Sequence, residues 1–354
     1  MKFITRSTML AGGVALIVSL AMSHKSIGQG VRQEIAQSSQ RQTSTTMKRQ
    51  LDPQAKALLD QMAVRASTPA TRQDYRAEIP LAGSPEPVSK VENRKIPGLS
   101  GNIPVRIYTP KGSGSGLLPV FVYIHGGGFA SGNLDTHDTP LRALANRAGC
   151  IIVSVDYRLA PKHPFPAAPE DAYAATKWVA NHAKEISGDQ MRIAVGGDSA
   201  GGNLATVVTM MARERRGPKL VYQVLLYPNT DAAPIKPYRS WEENDGYILT
   251  KAVRQEVYDQ YVPADVDRRN PYVSPLWAKD LKQLPPALVV TGEFDPLRDE
   301  GEAYAARLKK AGVPVMTTRY KGMIHGFFQM AGVLDAGKKV IDQTAAALRV
   351  AFAQ

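Results

Sequence analysis

The sequence predicts an α/β fold in which a mostly parallel central sheet is flanked by helices. Past residue 101, short β-rich runs alternate with longer runs of helical periodicity, which is the signature of βαβ units. Several of the short runs are apolar throughout, as strands covered on both faces must be. A chain of 354 residues that is 44% hydrophobic and 21% charged is also long enough to bury one large core.

The strands are expected at 120–124, 151–155, 192–195, 221–226, 287–291 and 315–320, with helices at 140–148, 169–182, 200–215, 251–262 and 298–311 between them. The interval 229–282 is longer than an ordinary crossover and rich in Pro, Tyr and Trp, so it reads as an insertion packed over the strand ends. Upstream, Asp52 as N-cap and Pro53 at the first helical position open a segment in which Ala55, Leu58, Leu59 and Met62 recur at helical spacing. That helix needs an apolar surface to lie on. Still earlier, residues 24–50 are rich in Gln, Ser, Thr and Arg without apolar periodicity, the composition of a disordered linker.

At the N-terminus, Lys2 and Arg6 precede an apolar run from Met9 to Met22, the layout of a secretory signal peptide. Cleavage after Ser23, with Ala21 at the minus-three position, gives a leader of residues 1–23; cleavage after Gly28 is the second reading and an uncleaved anchor the third. The expected location is therefore periplasmic or secreted, with no stable membrane span once the leader is removed.

Composition narrows the chemistry. Cys150 is the only cysteine, which excludes an intramolecular disulfide, a multi-cysteine zinc site and a thiol redox pair, so no cofactor and no metal are expected. The net charge of +12 is not clustered: groups such as Arg213, Arg215, Arg216 and Lys219 fall at helix ends, where cations complement the macrodipole. With 7% aromatic residues and no interleaved arginine stripe, no nucleic-acid partner is expected.

The reactive candidates begin with Gly197-Asp198-Ser199-Ala200-Gly201, which directly follows the expected strand 192–195 and runs into the helix 200–215. A serine at a sharp strand-to-helix turn is lifted above the sheet only if its flanking residues are too small to block the turn, and Gly197, Ala200 and Gly201 meet that demand. A base must then follow the nucleophile. Of the six histidines only His325 lies beyond Ser199, in a loop just after the strand 315–320. A carboxylate is needed to fix the imidazole, and the segment after 287–291 offers Glu293, Asp295 and Asp299. Pro296 and the helical pattern after it make Asp299 a first-turn helix residue. Asp295 sits in the loop proper and is the expected acid, with Glu293 as the substitute. Finally, His125-Gly126-Gly127-Gly128-Phe129 follows the strand 120–124, and its glycines expose backbone N–H groups suited to an oxyanion hole. Neither G-x-G-x-x-G nor Gly-Lys-Ser/Thr is present there, which argues against a phosphate loop.

On these motifs, joined by the Asp156-Tyr157-Arg158-Leu159-Ala160-Pro161 run, Asp295-Pro296-Leu297-Arg298-Asp299 and His325-Gly326-Phe327, the chain resembles the hormone-sensitive-lipase-like (bacterial family IV) esterases of the α/β-hydrolase superfamily from about Leu51 onward. The resemblance implies an eight-stranded, mostly parallel sheet under a helical cap, with cap helices in 51–100, a catalytic domain over 101–354 and a cap insertion at about 229–282. It also implies oxyanion donors from the backbone of Gly127, Gly128 and Ala200, with His125 shaping the loop rather than moving protons. The implied activity is hydrolysis of short- to medium-chain acyl esters, small-molecule substrates, with a homodimer left open. The same triad also serves amidases, carbohydrate or xenobiotic deacetylases and lipases. A hydrolase-shaped binding protein is the non-enzymatic alternative; such proteins typically lose a triad member, whereas Ser199, Asp295 and His325 are all present.

Overall fold

The computed structural model describes residues 49–66, 81–112, 114 and 116–354; the expected leader at 1–23 and the linker up to residue 48 lie outside the described residues. Eight strands form one sheet: β1 (Lys90–Gly98), β2 (Gly101–Thr109), β3 (Leu118–Ile124), β4 (Ile151–Val155), β5 (Gly188–Asp198), β6 (Tyr222–Leu226), β7 (Ala287–Phe294) and β8 (Val315–Ile324). The helices are α1 (Pro53–Ala66), α2 (Asp138–Ala148), α3 (Ala167–His182), α4 (Ala200–Glu214), α5 (Arg239–Glu243), α6 (Lys251–Tyr261), α7 (Arg298–Lys310) and α8 (Asp335–Phe352). Spatial order across the sheet is β1-β2-β4-β3-β5-β6-β7-β8. Only the β1/β2 and β2/β4 pairs are antiparallel; the other five are parallel.

Alternation along the central strands splits the interior into two cores. Val120, Val122 and Ile124 of β3 face the core that α3, α4 and α7 cover, while Phe121 and Tyr123 face the one beneath α2 and α8. Both faces of the middle strands are thus buried, which is why they read as unbroken apolar runs.

From β3 the chain turns through α2 on one face to β4, and from β5 it turns through α4 on the other face to β6. The carboxyl ends of the neighbouring strands β3 and β5 therefore flank a switch point, where connections depart in opposite directions and a crevice opens. The glycine run after β3 and the serine turn after β5 meet there. The interval 229–282 lies between β6 and β7 and carries α5 and α6.

One expectation needs correction. The stretch 51–100, expected to hold cap helices, holds α1 but ends in β1, an edge strand of the sheet. Only Ile96 is buried along β1, so its polar sequence shows no strand alternation. Helix α1 lies on the apolar surface expected for it: its Ala55 and Leu58 join the core beneath α2 and α8, and Asp52 N donates to Gly322 O of β8 at 3.1 Å. Asp52 caps α1 as expected, its Oδ1 accepting from Gln54 N at 2.8 Å. Among the described residues, no helix is long and apolar enough to cross a membrane.

Candidate active site

Ser199 stands between the last residue of β5 and the first of α4 with φ 53° and ψ −118°, a left-handed backbone that a non-glycine residue adopts only when its surroundings impose it. What imposes it is the close approach of β3. A Cβ on Gly201 would lie 1.9 Å from Ile124 O, so only glycine lets α4 start so near the neighbouring strand. Ser199 N donates to Leu226 O at 2.8 Å, which ties the turn to the end of β6.

The turn delivers the hydroxyl to the imidazole. His325 Nε2 lies 2.9 Å from Ser199 Oγ, and His325 Nδ1 lies 2.8 Å from Asp295 Oδ2. Asp295 is fully buried, so its carboxylate makes Nδ1 the protonated nitrogen and leaves Nε2 to accept from the serine hydroxyl. The acid is held in turn: its Oδ1 accepts from Leu297 N at 2.8 Å, and its backbone carbonyl accepts from Asn244 Nδ2 at 2.9 Å. The other two carboxylates weighed for this place are engaged elsewhere. Glu293 Oε2 accepts from Gly322 N at 2.8 Å, and Asp299, in the first turn of α7 as expected, accepts from Ser240 N at 2.8 Å.

The glycine loop lies beside this line. Gly127 has φ 121°, and a Cβ there would stand 2.2 Å from Ser131 O, so the loop folds back on itself in a way only glycine permits. Gly128, with φ 60°, passes under Val257 of α6. Ala200 begins α4, where the first amides of a helix have no intrahelical partner. The glycine turn and the start of α4, from which the oxyanion donors are expected, thus follow the carboxyl ends of the neighbouring strands β3 and β5.

His125, expected to shape the loop, is fully buried and stacks on Tyr157 with ring centroids 4.3 Å apart. Its Nδ1 reaches Gly126 O at 2.8 Å, and burial, with the neighbouring His137, pushes its pKa down to about 4. The ring beneath the loop is therefore neutral near pH 7.

Several residues of the site were not singled out as functional by the sequence. Asp198 Oδ1 accepts from Tyr123 Oη at 2.7 Å and Gly126 N at 2.8 Å, and lies 3.0 Å from His137 Nε2. Burial alone would raise this carboxyl, but His137, Tyr123 and the Gly126 amide hold it below the usual range. One anion thus pins the glycine loop to the serine turn. On the other side, Asn203 Nδ2 donates to Asn229 O at 3.0 Å and Val273 O at 2.9 Å, while Asn229 Oδ1 lies 3.4 Å from Ser199 Oγ. An acid inside the serine motif was a readable signal for Asp198; nothing near His137 or Asn229 marks them. Among the described residues, no group of three or more His, Cys, Asp and Glu is placed to hold a metal ion.

A strained serine above the switch point, an imidazole and a buried carboxylate in line, and a glycine loop alongside define an α/β-hydrolase. The family model described as alpha/beta hydrolase fold matches residues 121–329, and the chain belongs to that family, in its hormone-sensitive-lipase-like branch. It is 45% identical over 289 residues to the carboxylic ester hydrolase LipN of Mycobacterium tuberculosis, an alignment covering 79% of this chain and 76% of that protein. Among solved structures it is similar to a hyperthermophilic esterase from Pyrobaculum calidifontis, with a TM-score of 0.78 and 44% identity over 85% of this chain and 98% of that one. An ester hydrolase from the Lake Arreo metagenome, solved in complex with a bipyridine phosphonate derivative, aligns with a TM-score of 0.82 and 39% identity over 86% of this chain and 100% of that one.

Proposed function

We propose that this chain is a serine carboxylester hydrolase acting on short- to medium-chain acyl esters, with Ser199 as nucleophile, His325 as base and Asp295 as orienting acid. The observation that carries the reading is the unbroken line from Ser199 Oγ through His325 to Asp295, with steps of 2.9 and 2.8 Å. His325 Nε2 takes the hydroxyl proton as Oγ attacks the ester carbonyl, and Asp295 stabilises the resulting imidazolium. The carbonyl oxygen becomes an oxyanion facing the N–H groups of Gly127, Gly128 and Ala200. His325 then gives its proton to the departing alkoxide, leaving an acyl-enzyme on Ser199. Water, deprotonated by the same nitrogen, attacks the acyl carbon; the acid leaves and the serine proton returns.

Three esterase relatives of different origin support the ester as substrate, and the retained triad argues against the binding-protein alternative. A series of p-nitrophenyl esters tests it: kcat/KM is expected to be highest between acetate and octanoate and to fall for palmitate. A preference for palmitate, or faster cleavage of the matched anilides, contradicts it. The location proposed is periplasmic or secreted, on the strength of the leader-like residues 1–23, and N-terminal sequencing of the exported protein is its test.

A further inference from the structure

One buried carboxylate that the triad does not use gathers three parts of the cap insertion onto the catalytic core. Glu300, in the first turn of α7, is fully buried. Its Oε1 accepts from Thr230 N at 2.8 Å and from Asp231 N at 3.4 Å, the first residues of the insertion after Asn229. Its Oε2 accepts from Trp241 Nε1 at 3.1 Å on α5 and from Arg254 Nη2 at 3.4 Å on α6. Three separate parts of the cap thus converge on two oxygens of one core helix. Arg254 completes the clasp: its Nη2 also donates to Asp231 O at 2.7 Å, and its guanidinium lies 3.1 Å from the Trp241 ring centroid.

What the clasp holds is adjacent to the chemistry. Asn229, one residue before the first contact, has its Oδ1 3.4 Å from Ser199 Oγ and its Nδ2 3.4 Å from Tyr258 Oη of α6. One turn after Arg254 on α6, Val257 closes over Gly128. Any shift of α6 therefore moves the wall above the glycine loop and the amide beside the nucleophile together.

We propose that Glu300 is a positioning residue for substrate: through Thr230, Trp241 and Arg254 it sets where α6 and Asn229 lie over the Ser199 crevice, and so sets ester affinity rather than the rate of the chemical step. The proposal deepens the esterase reading and rests on it. The groups facing the carboxylate are Arg254 and Tyr258 from α6, Asp231 and Tyr238 from the insertion, while Arg298 and Asp299 of its own helix bond to each other. Burial, offset in part by Arg254, pushes Glu300 up to about 7. Its anionic form, which accepts all four donors, is present above that value, and protonation below it weakens the clasp.

Two measurements test this on the full chain. With p-nitrophenyl butyrate, Glu300→Gln is expected to raise KM about tenfold with kcat nearly unchanged. Wild-type KM is expected to rise as pH falls through about 7, a trend the variant lacks. The second needs no substrate: in a Trp178→Phe background, which removes the indole stacked on His182, tryptophan emission is expected to change with a midpoint near neutral pH and to lose that transition in Glu300→Gln. An unchanged KM in folded Glu300→Gln, or the same emission transition in it, overturns the proposal. Should that variant not fold, Arg254→Met opens the clasp from the cap side, and an unchanged KM there has the same force. No hydrolysis by wild type would discredit the esterase reading, and the emission titration would still decide whether the clasp exists.

Discussion

His325 Nε2 lies 2.9 Å from Ser199 Oγ although 126 residues separate the two in the chain. The contact joins the turn after β5 to the loop after β8, and it exists because both strands end on the same edge of a parallel sheet.

Removing the hydroxyl removes the route to an acyl-enzyme. Ser199→Ala is expected to lower kcat by about 10⁶ with the fold intact, as nucleophile loss does in triad hydrolases. Steady-state kinetics on protein with a native circular dichroism spectrum checks it.

The acid assignment separates two carboxylates close in sequence. Asp295→Asn leaves His325 Nδ1 facing an amide and favours the wrong tautomer, so kcat is expected to fall about 10⁴-fold. Glu293→Gln keeps an acceptor for Gly322 N and is expected to stay within about tenfold of wild type. The reverse order in parallel assays would move the acid role to Glu293.

Most of this site was legible because its chemistry depends on local backbone demands. The turn around Ser199 needs small neighbours, the loop after β3 needs glycines, and His325 was the only histidine beyond Ser199. What stayed hidden depends on tertiary context. β2 was missed because Pro104 interrupts it, although Ile103, Val105 and Ile107 alternate inward; its imino nitrogen needs no partner, and its carbonyl accepts from Asp156 N at 3.0 Å. Helix α8 was absent from the expected set despite buried Val340, Ile341, Thr344, Ala345 and Leu348 at helical spacing. Asp299 and Glu300 both lie in the first turn of α7, and only packing shows that one meets α5 while the other also reaches Thr230 and α6.

The serine turn has no room for a methyl group. Gly201→Ala would place its Cβ 1.9 Å from a backbone carbonyl of β3, where no rotamer change relieves the clash. A loss of about 4 kcal/mol or more is expected, read as a fall in denaturation midpoint or as insoluble protein.

His125 gives an acid limb to stability. Its folded pKa is about 4, below the unfolded value of 6.5, so between these values the unfolded chain binds the extra proton and stability falls as pH falls. The expected contribution is on the order of 3 kcal/mol across that window. Denaturant titrations at pH 7 and pH 4 should show His125→Gln losing less stability on acidification than wild type; equal losses would contradict a neutral buried ring.

The most direct test of the central claim is to treat the native protein with a serine-directed fluorophosphonate and map the adduct by peptide mass spectrometry. The account predicts stoichiometric loss of esterase activity with a single phosphonylated residue, Ser199. Full activity after treatment, or inactivation with the adduct on another residue, would contradict it.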